Sequence, residues 1–209
     1  MNTYMKTAQH LSVGFISLGC AKNLVDSEVI AASLCSSDFV LAAAPEKADI
    51  IIVNTCAFIH DARVESIDAI FDACELKKKG KCKAVMVAGC LPQRYKDELV
   101  RAMPEVDAFI GLDELERSGK IALRITHSKQ RVVEISEMPH AVIEPSCERV
   151  LFTGAQYAYI KVADGCNHQC SFCAIPSIRG RYRSRSIKNI VAEAEQLLSR
   201  GILELNLVS

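Results

Sequence analysis

Apolar positions in the first half of the chain follow two alternating periods. Val13–Leu18, Asp49–Asn54 and Ala84–Ala88 are short apolar runs that read as strands. The second is almost continuously β-branched, as in sheets buried on both faces. Between these runs the period lengthens to that of a helix. Leu24–Cys35 places Val25, Val29 and Ala32 on one face, His60–Lys79 aligns Val64, Ile67, Phe71 and Cys74, and Leu91–Met103 aligns Leu91, Tyr95, Leu99 and Met103. The second of these helices closes with Lys77–Lys79 and Gly80, both proper to a helix C-terminus. Asp107–Ile110 reads as a further short strand. Repeated β-α units predict an α/β fold, a parallel sheet with right-handed crossovers and helices on both faces.

The pattern changes between about residues 120 and 153. Arg131–Ile135 has the composition of a strand, but Pro139, Pro145 and scattered charges predict a connector. Gln156–Ala163 then alternates as a new strand. Ser186–Arg200 is an amphipathic helix with Ile187, Ile190, Val191, Ala194, Leu197 and Leu198 on one face, and Leu203–Val208 is another strand. This βαβ unit ends on an open edge with no following helix, so the chain is expected to be a piece of something larger. The expected division is a first domain over 1–125, a connector over 126–152 and the start of a second domain over 153–209.

Composition narrows the class. Of 209 residues half are hydrophobic, enough for a sizeable core. Lys plus Arg and Asp plus Glu both number 25, so no overall field draws the chain to nucleic acid or an anionic membrane. Met1–Leu11 lacks the apolar stretch of a signal peptide, and runs such as Ile50–Val53 are far too short to span a bilayer. Ten cysteines without a secretory signal point to a reducing, cytoplasmic setting and to metal ligation rather than disulfides. Four of them are read as bystanders. Cys74 lies on a helical apolar stripe, while Cys35, Cys82 and Cys147 have no partner at ligand spacing.

Cys166, Cys170 and Cys173 form a C-x3-C-x2-C triplet in one short loop. Three thiolates there can hold three irons of a cubane and leave the fourth iron open. The same cysteines with His168 or Cys147 would also make a structural zinc site, although zinc knuckles usually come in pairs and no second one follows. The triplet, with Phe172 before its last cysteine, resembles the radical S-adenosylmethionine superfamily. That resemblance implies that the cofactor binds the open iron, with Phe172 beside it, and is cleaved to a deoxyadenosyl radical by an electron from the cluster.

Cys20, Cys56 and Cys90 each follow the carboxyl end of a predicted strand, two of them directly after glycine. Ligand sites in open parallel sheets lie in the crevice outside those ends, so three residues distant in sequence can meet there. Three unrelated core cysteines are the alternative. The segments Ser17–Glu28, Ile52–Ile59 and Gly89–Tyr95 are similar to the N-terminal domain of methylthiotransferases. Within that family, Ser17–Glu28 and Phe172–Gly180 resemble the RimO type, which modifies the β-carbon of an aspartate in a small-subunit ribosomal protein. They are less like the MiaB type, which modifies a tRNA adenosine. Ala21 departs from the pattern, standing where the first branch often has proline.

The resemblance implies two 4Fe-4S clusters, one on Cys166, Cys170 and Cys173 and a second, sulfur-holding one on Cys20, Cys56 and Cys90. It implies S-adenosylmethionine as cofactor, and a first βαβ of a truncated radical SAM partial TIM barrel after the N-terminal methylthiotransferase domain. A ribosomal-protein substrate and an electron donor such as a flavodoxin or ferredoxin are the implied partners. No membrane and no direct nucleic-acid contact are expected, and these residues alone are not expected to complete the reaction. An unactivated C–H bond yields to no acid or base at neutral pH, so no acid–base residue is assigned. From Cys166 to Ala192 there is no acidic residue, while Arg179, Arg181, Arg183, Arg185 and Lys188 all occur. This stretch serves either an anionic ligand or simply solvent. Asp26 and Glu28 are given no chemistry.

Overall fold

Strand β1 (Ser12–Ser17) and the helix that follows, α1 (Ala21–Cys35), begin a computed structural model that describes residues 10–142 and 149–209. Next come β2 (Val40–Leu41), β3 (Ile50–Thr55), α2 (His60–Lys78), β4 (Ala84–Gly89), α3 (Cys90–Ala102) and β5 (Ala108–Ile110). Two further elements, α4 (Ser118–His127) and β6 (Val132–Glu134), complete a six-stranded sheet in the order β2-β1-β3-β4-β5-β6, parallel throughout.

The sheet is buried on both faces, as the β-branched runs require. Ile51, Val53, Val85, Val87 and Phe109 pack toward α2 and α3. Ile50, Ile52, Met86, Ala88 and Ile110 pack toward α1 and α4. The sheet therefore takes in β6, beyond the residue-125 limit expected for the first domain. Proline at 139 leaves a strand at 132–134 intact, because its steric effect reaches only its own residue and the one before. Cys147 and Pro145 lie outside the described residues.

The expected stripe on α2 is rotated in the structure. Val64 and Phe71 are exposed, Phe71 by 52 %, and the buried face is Ser66, Ile70, Ala73 and Cys74. Both sets recur at helical spacing, so periodicity alone could not choose between them.

The remainder is smaller. β7 (Tyr157–Lys161) pairs in parallel with β10 (Glu204–Val208), and β8 (Ala163–Asp164) pairs antiparallel with β9 (Arg183–Ser184). Between them lie α5 (Ile175–Arg179) and α6 (Ile187–Ser199). Ser186 caps α6 by accepting from the Asn189 amide. Only part of the expected α6 stripe is covered. Leu197 packs with Ala158, Ile160 and Ile202, while Ile187 is 81 % exposed and Val191 and Leu198 are half exposed.

α1 is enclosed nearly all round. Its apolar side meets the sheet, and its polar residues Asn23, Asp26 and Glu28 are also out of water. Asp26 and Glu28 face the second unit, while Asn23 bonds the first unit's own loops and also meets Arg179.

Candidate functional site

Three strand ends meet at Asn23. Its Nδ2 donates to Leu18 O at 2.7 Å and to Thr55 O at 3.0 Å, tying together the loops after β1 and β3. Asn54 answers from β3, donating to Asn23 O and Ser27 Oγ, both at 2.8 Å. Thr55 Oγ1 donates to Ala88 O at 2.6 Å and brings in the end of β4. The three loops that carry Cys20, Cys56 and Cys90 are thereby fixed on the carboxyl edge of one sheet, as the sequence pattern predicts. Cys20 stands at the N-cap of α1 and Cys90 at the first residue of α3.

Two glycines make the approach possible. Gly89 has φ +95°, and a Cβ there would lie 2.3 Å from Asn54 Oδ1, so β4 can pass straight into α3 only without a side chain. Gly19, also at φ +95°, lies against Cys56. A Cβ on it would come within 2.8 Å of the Cys56 Cβ and 3.2 Å of its sulfur.

A supporting shell surrounds these thiols. Ser66 of α2 brackets the Cys56 peptide, accepting from its N–H at 3.0 Å and donating to its carbonyl at 2.9 Å. Arg94 donates to Ala57 O at 2.6 Å. Gln93, in the same motif, bonds Ser136 O and the Leu112 amide and so braces the ends of β5 and β6. Cys20 is exposed, Cys56 half-buried and Cys90 buried. Burial pushes the Cys90 thiol up to about 11, against the pull of Arg179.

The triplet loop lies beside this edge. The Cys166 amide donates to Gly180 O at 3.1 Å and the Cys173 amide to Cys170 O at 3.1 Å. Cys166 and Cys173 are half-buried and Cys170 is exposed, while Phe172 is 88 % exposed. His168 is also exposed. Cys74 and Cys82 are buried in the apolar core, with their thiols pushed up by burial, Cys82 to about 11.

The basic stretch divides: Arg181 and Lys188 are exposed to solvent and Arg183 is half-buried, but two of its arginines turn inward. Arg179 and Arg185 are buried. Arg179 Nη2 lies 2.8 Å from Asp26 Oδ2, 3.2 Å from Asn23 Oδ1 and 3.5 Å from Cys90 Sγ, and its Nη1 donates to Asp164 at 2.9 Å. Lys161 pairs with Asp26 and with Asp164, and Lys22 reaches Asp164 at 3.6 Å. Burial alone would raise the Asp164 pKa, but Lys161, Arg179 and Lys22 outweigh it and hold the carboxyl well below the usual carboxylate range. Asn23, Lys161 and Asp164, which the motifs do not single out, and Asp26, to which no chemistry is assigned, thus line the cysteine-bearing edge. The one signal in the sequence is complementary charge, an acidic pair inside an apolar helix and an acid-free basic stretch far along the chain.

Two sets of thiols with no carboxylate ligand among them suit a soft, sulfur-bridged iron cluster, and the open, half-exposed triplet loop leaves room for one. Among the described residues, no three His, Cys, Asp or Glu side chains converge on a point that would hold a single metal ion. No helix among them is long and apolar enough to cross a membrane.

Residues 12–111 match the model of the "Uncharacterized protein family UPF0004", and residues 160–209 match that of the radical SAM superfamily. The protein named ribosomal protein uS12 methylthiotransferase RimO of Pelobacter propionicus is 44% identical over 205 residues, 98% of this chain and 45% of that one. Its namesake from Symbiobacterium thermophilum is 46% identical over 199 residues, 95% of this chain and 41% of that one. That from Bdellovibrio bacteriovorus is 46% identical over 204 residues, 98% and 44%. The chain therefore spans a little under half the length of these relatives. Among solved structures, the radical S-adenosylmethionine methyltransferase TsrM from Kitasatospora setae superposes with a TM-score of 0.60 at 13% identity, covering 96% of this chain and 47% of that one. At that identity the likeness concerns the fold alone.

Proposed function

Since the chain belongs to the radical S-adenosylmethionine methylthiotransferase family, we propose that it carries both cluster stations of a RimO-type enzyme, one that places a methylthio group on the β-carbon of an aspartate in ribosomal protein uS12. The observation that carries this reading is that the loops bearing Cys20, Cys56 and Cys90 are tied together through Asn23 and Thr55 at one sheet edge, beside the Cys166–Cys173 loop. In this reading Cys20, Cys56 and Cys90 hold one 4Fe-4S cluster and Cys166, Cys170 and Cys173 the other. When bound, the clusters and S-adenosylmethionine supply the radical and the sulfur that an unactivated C–H bond requires.

The chain's own residues bind, orient and shield. Asn23, Asn54, Thr55 and Ser66 fix the backbone of the three strand-end loops, so a cluster would require only side-chain adjustment of the thiols rather than a rearrangement of the loops. Phe172, exposed next to Cys173, offers its ring to the cofactor. The interior charges at Asp26, Arg179, Lys161 and Asp164 hold the two stations at a fixed separation, and geometry of this kind tolerates little error. In this reading a methylthiotransferase domain passes through a connector into the first βαβ of a partial barrel. The setting is cytoplasmic, and a flavodoxin or ferredoxin supplies electrons.

Anaerobic reconstitution followed by iron, sulfide and zinc analysis tests the cluster reading. Changing Cys166, Cys170 and Cys173 to Ala should remove about half of the iron and leave the rest. Stoichiometric zinc without cluster absorption would sink it. Deleting the gene that encodes these residues tests the substrate. The uS12 aspartate should lose its methylthio group while tRNA adenosines keep theirs, and the reverse pattern would favour a MiaB-type enzyme.

A further inference from the structure

Arg179 closes α5, six residues after Cys173, yet its guanidinium is buried against α1 and the start of α3. The next residue, Gly180, accepts from the Cys166 amide at 3.1 Å. Two adjacent residues thus touch both cysteine sets, Gly180 through the backbone and Arg179 by a side-chain nitrogen 3.5 Å from the Cys90 sulfur. The charges around them do not cancel. Among the described residues, Lys22, Lys161 and Arg179 face two carboxylates, Asp26 and Asp164. Of these three cations Arg179 is the one with a nitrogen at the Cys90 sulfur, 3.5 Å away, where an anionic sulfur would add a counter-charge.

We propose that Arg179 is a positioning residue for the reaction, donating a hydrogen bond to the Cys90 sulfur while its peptide link to Gly180 holds the Cys166 loop. This rests on the assignment of a cluster to Cys20, Cys56 and Cys90. Two properties follow. Hydrogen bonds to cluster sulfurs and nearby positive charge raise a cluster's reduction potential, so Arg179 sets that of the strand-end cluster. Because Arg179 is clamped by Asp26 and Asp164, it also fixes the separation of the two sets.

The test uses the 209-residue chain with Cys166, Cys170 and Cys173 changed to Ala, reconstituted anaerobically with ferrous iron and sulfide. Only the strand-end set then takes iron, and its midpoint potential is read by spectroelectrochemistry. R179K keeps a cation for the carboxylates but loses the planar fork that reaches Asp26 and Cys90 together. The double variant R179M/D26N removes one charge of each sign, which avoids stranding a buried carboxylate. Both are expected to shift the potential to more negative values. In the chain with all six cysteines, both should also weaken the spin–spin broadening between the two reduced clusters. Loss of iron from a variant that still melts cooperatively likewise supports the proposal, since no backbone bond of the sheet runs through this side chain. A parental potential in R179K overturns it, whatever the double variant does. If the parent itself binds no iron, the cluster assignment fails instead.

Discussion

Glu28 and Arg149 form an ion pair at 2.6 Å, with each side chain only 2% exposed. The second Glu28 oxygen accepts from the Phe152 amide at 2.9 Å, and Arg149 continues to Glu193 at 2.7 Å. Burial pushes the Glu28 carboxyl up, while Arg149 and the amides of Phe152 and Thr153 pull it back. Removing Glu28 leaves a dry Arg149 with Glu193 as its remaining counter-charge among the described residues. Glu28→Ala is therefore expected to cost about 3–5 kcal/mol, and Glu28→Ala with Arg149→Met to recover much of that loss. Urea unfolding of the two single variants and the double variant checks this. Additive losses would show that the two side chains are not energetically coupled.

Gly19→Ala should act on both stability and iron binding. The substitution forces φ +95° on a residue that avoids it and drives a methyl group into Cys56. The expected loss is about 1–3 kcal/mol. Because the displaced neighbour is a thiol of the strand-end set, iron bound there should fall in parallel. Iron content matching that of the parent, measured with the triplet changed to Ala, would mean that Cys56 can move aside without leaving the site.

The rotated face of α2 gives a paired comparison. Ile70 is fully buried and Phe71 half exposed. Ile70→Ala should cost about 2–5 kcal/mol by cavity formation. Phe71→Ser is expected to stay within about 1 kcal/mol, as surface changes usually do. Thermal melts of the two variants decide the matter, and a larger loss at Phe71 would restore the stripe that periodicity suggests.

Acid sensitivity should trace partly to the opposite edge of the sheet. Asp49 precedes β3 and accepts from the amide and hydroxyl of Ser12, each at 2.9 Å, with Lys83 at 2.8 Å. Burial would raise its pKa, but these partners outweigh it and hold the carboxyl below its ordinary value. A lowered folded-state pKa means that the unfolded chain binds the proton more readily. The stabilisation is thus present above the ordinary Asp value and lost as pH falls through the folded one. Asp49→Asn should flatten the stability profile below about pH 4 relative to the parent. An unchanged acid limb would assign that sensitivity to other carboxylates.

The sheet was legible because each of its main strands combines a short apolar run with a following helix. The strand-end cysteines were legible because three of them repeat one position in that pattern. What escaped was long-range pairing. Asp26 and Glu28 look like ordinary helix surface until Arg179, Lys161 and Arg149 arrive from more than a hundred residues away. Periodicity records local geometry only, so it also missed α4, the place of β6 in the sheet and the true inner face of α2.

Enclosure of α1 on nearly every side limits how far the two units can be exchanged. A helix whose apolar side belongs to one core and whose charges belong to a neighbour's cations cannot be inherited by one unit alone. Transplanting the first unit of a relative onto this chain would bring a new set of α1 side chains against Lys161, Asp164 and Arg179. Such a hybrid would fold as a matched pair only if those three positions travelled with it. The two parts are thus joined by a residue-level code written on both sides of the seam, and substitutions there should succeed in pairs or not at all.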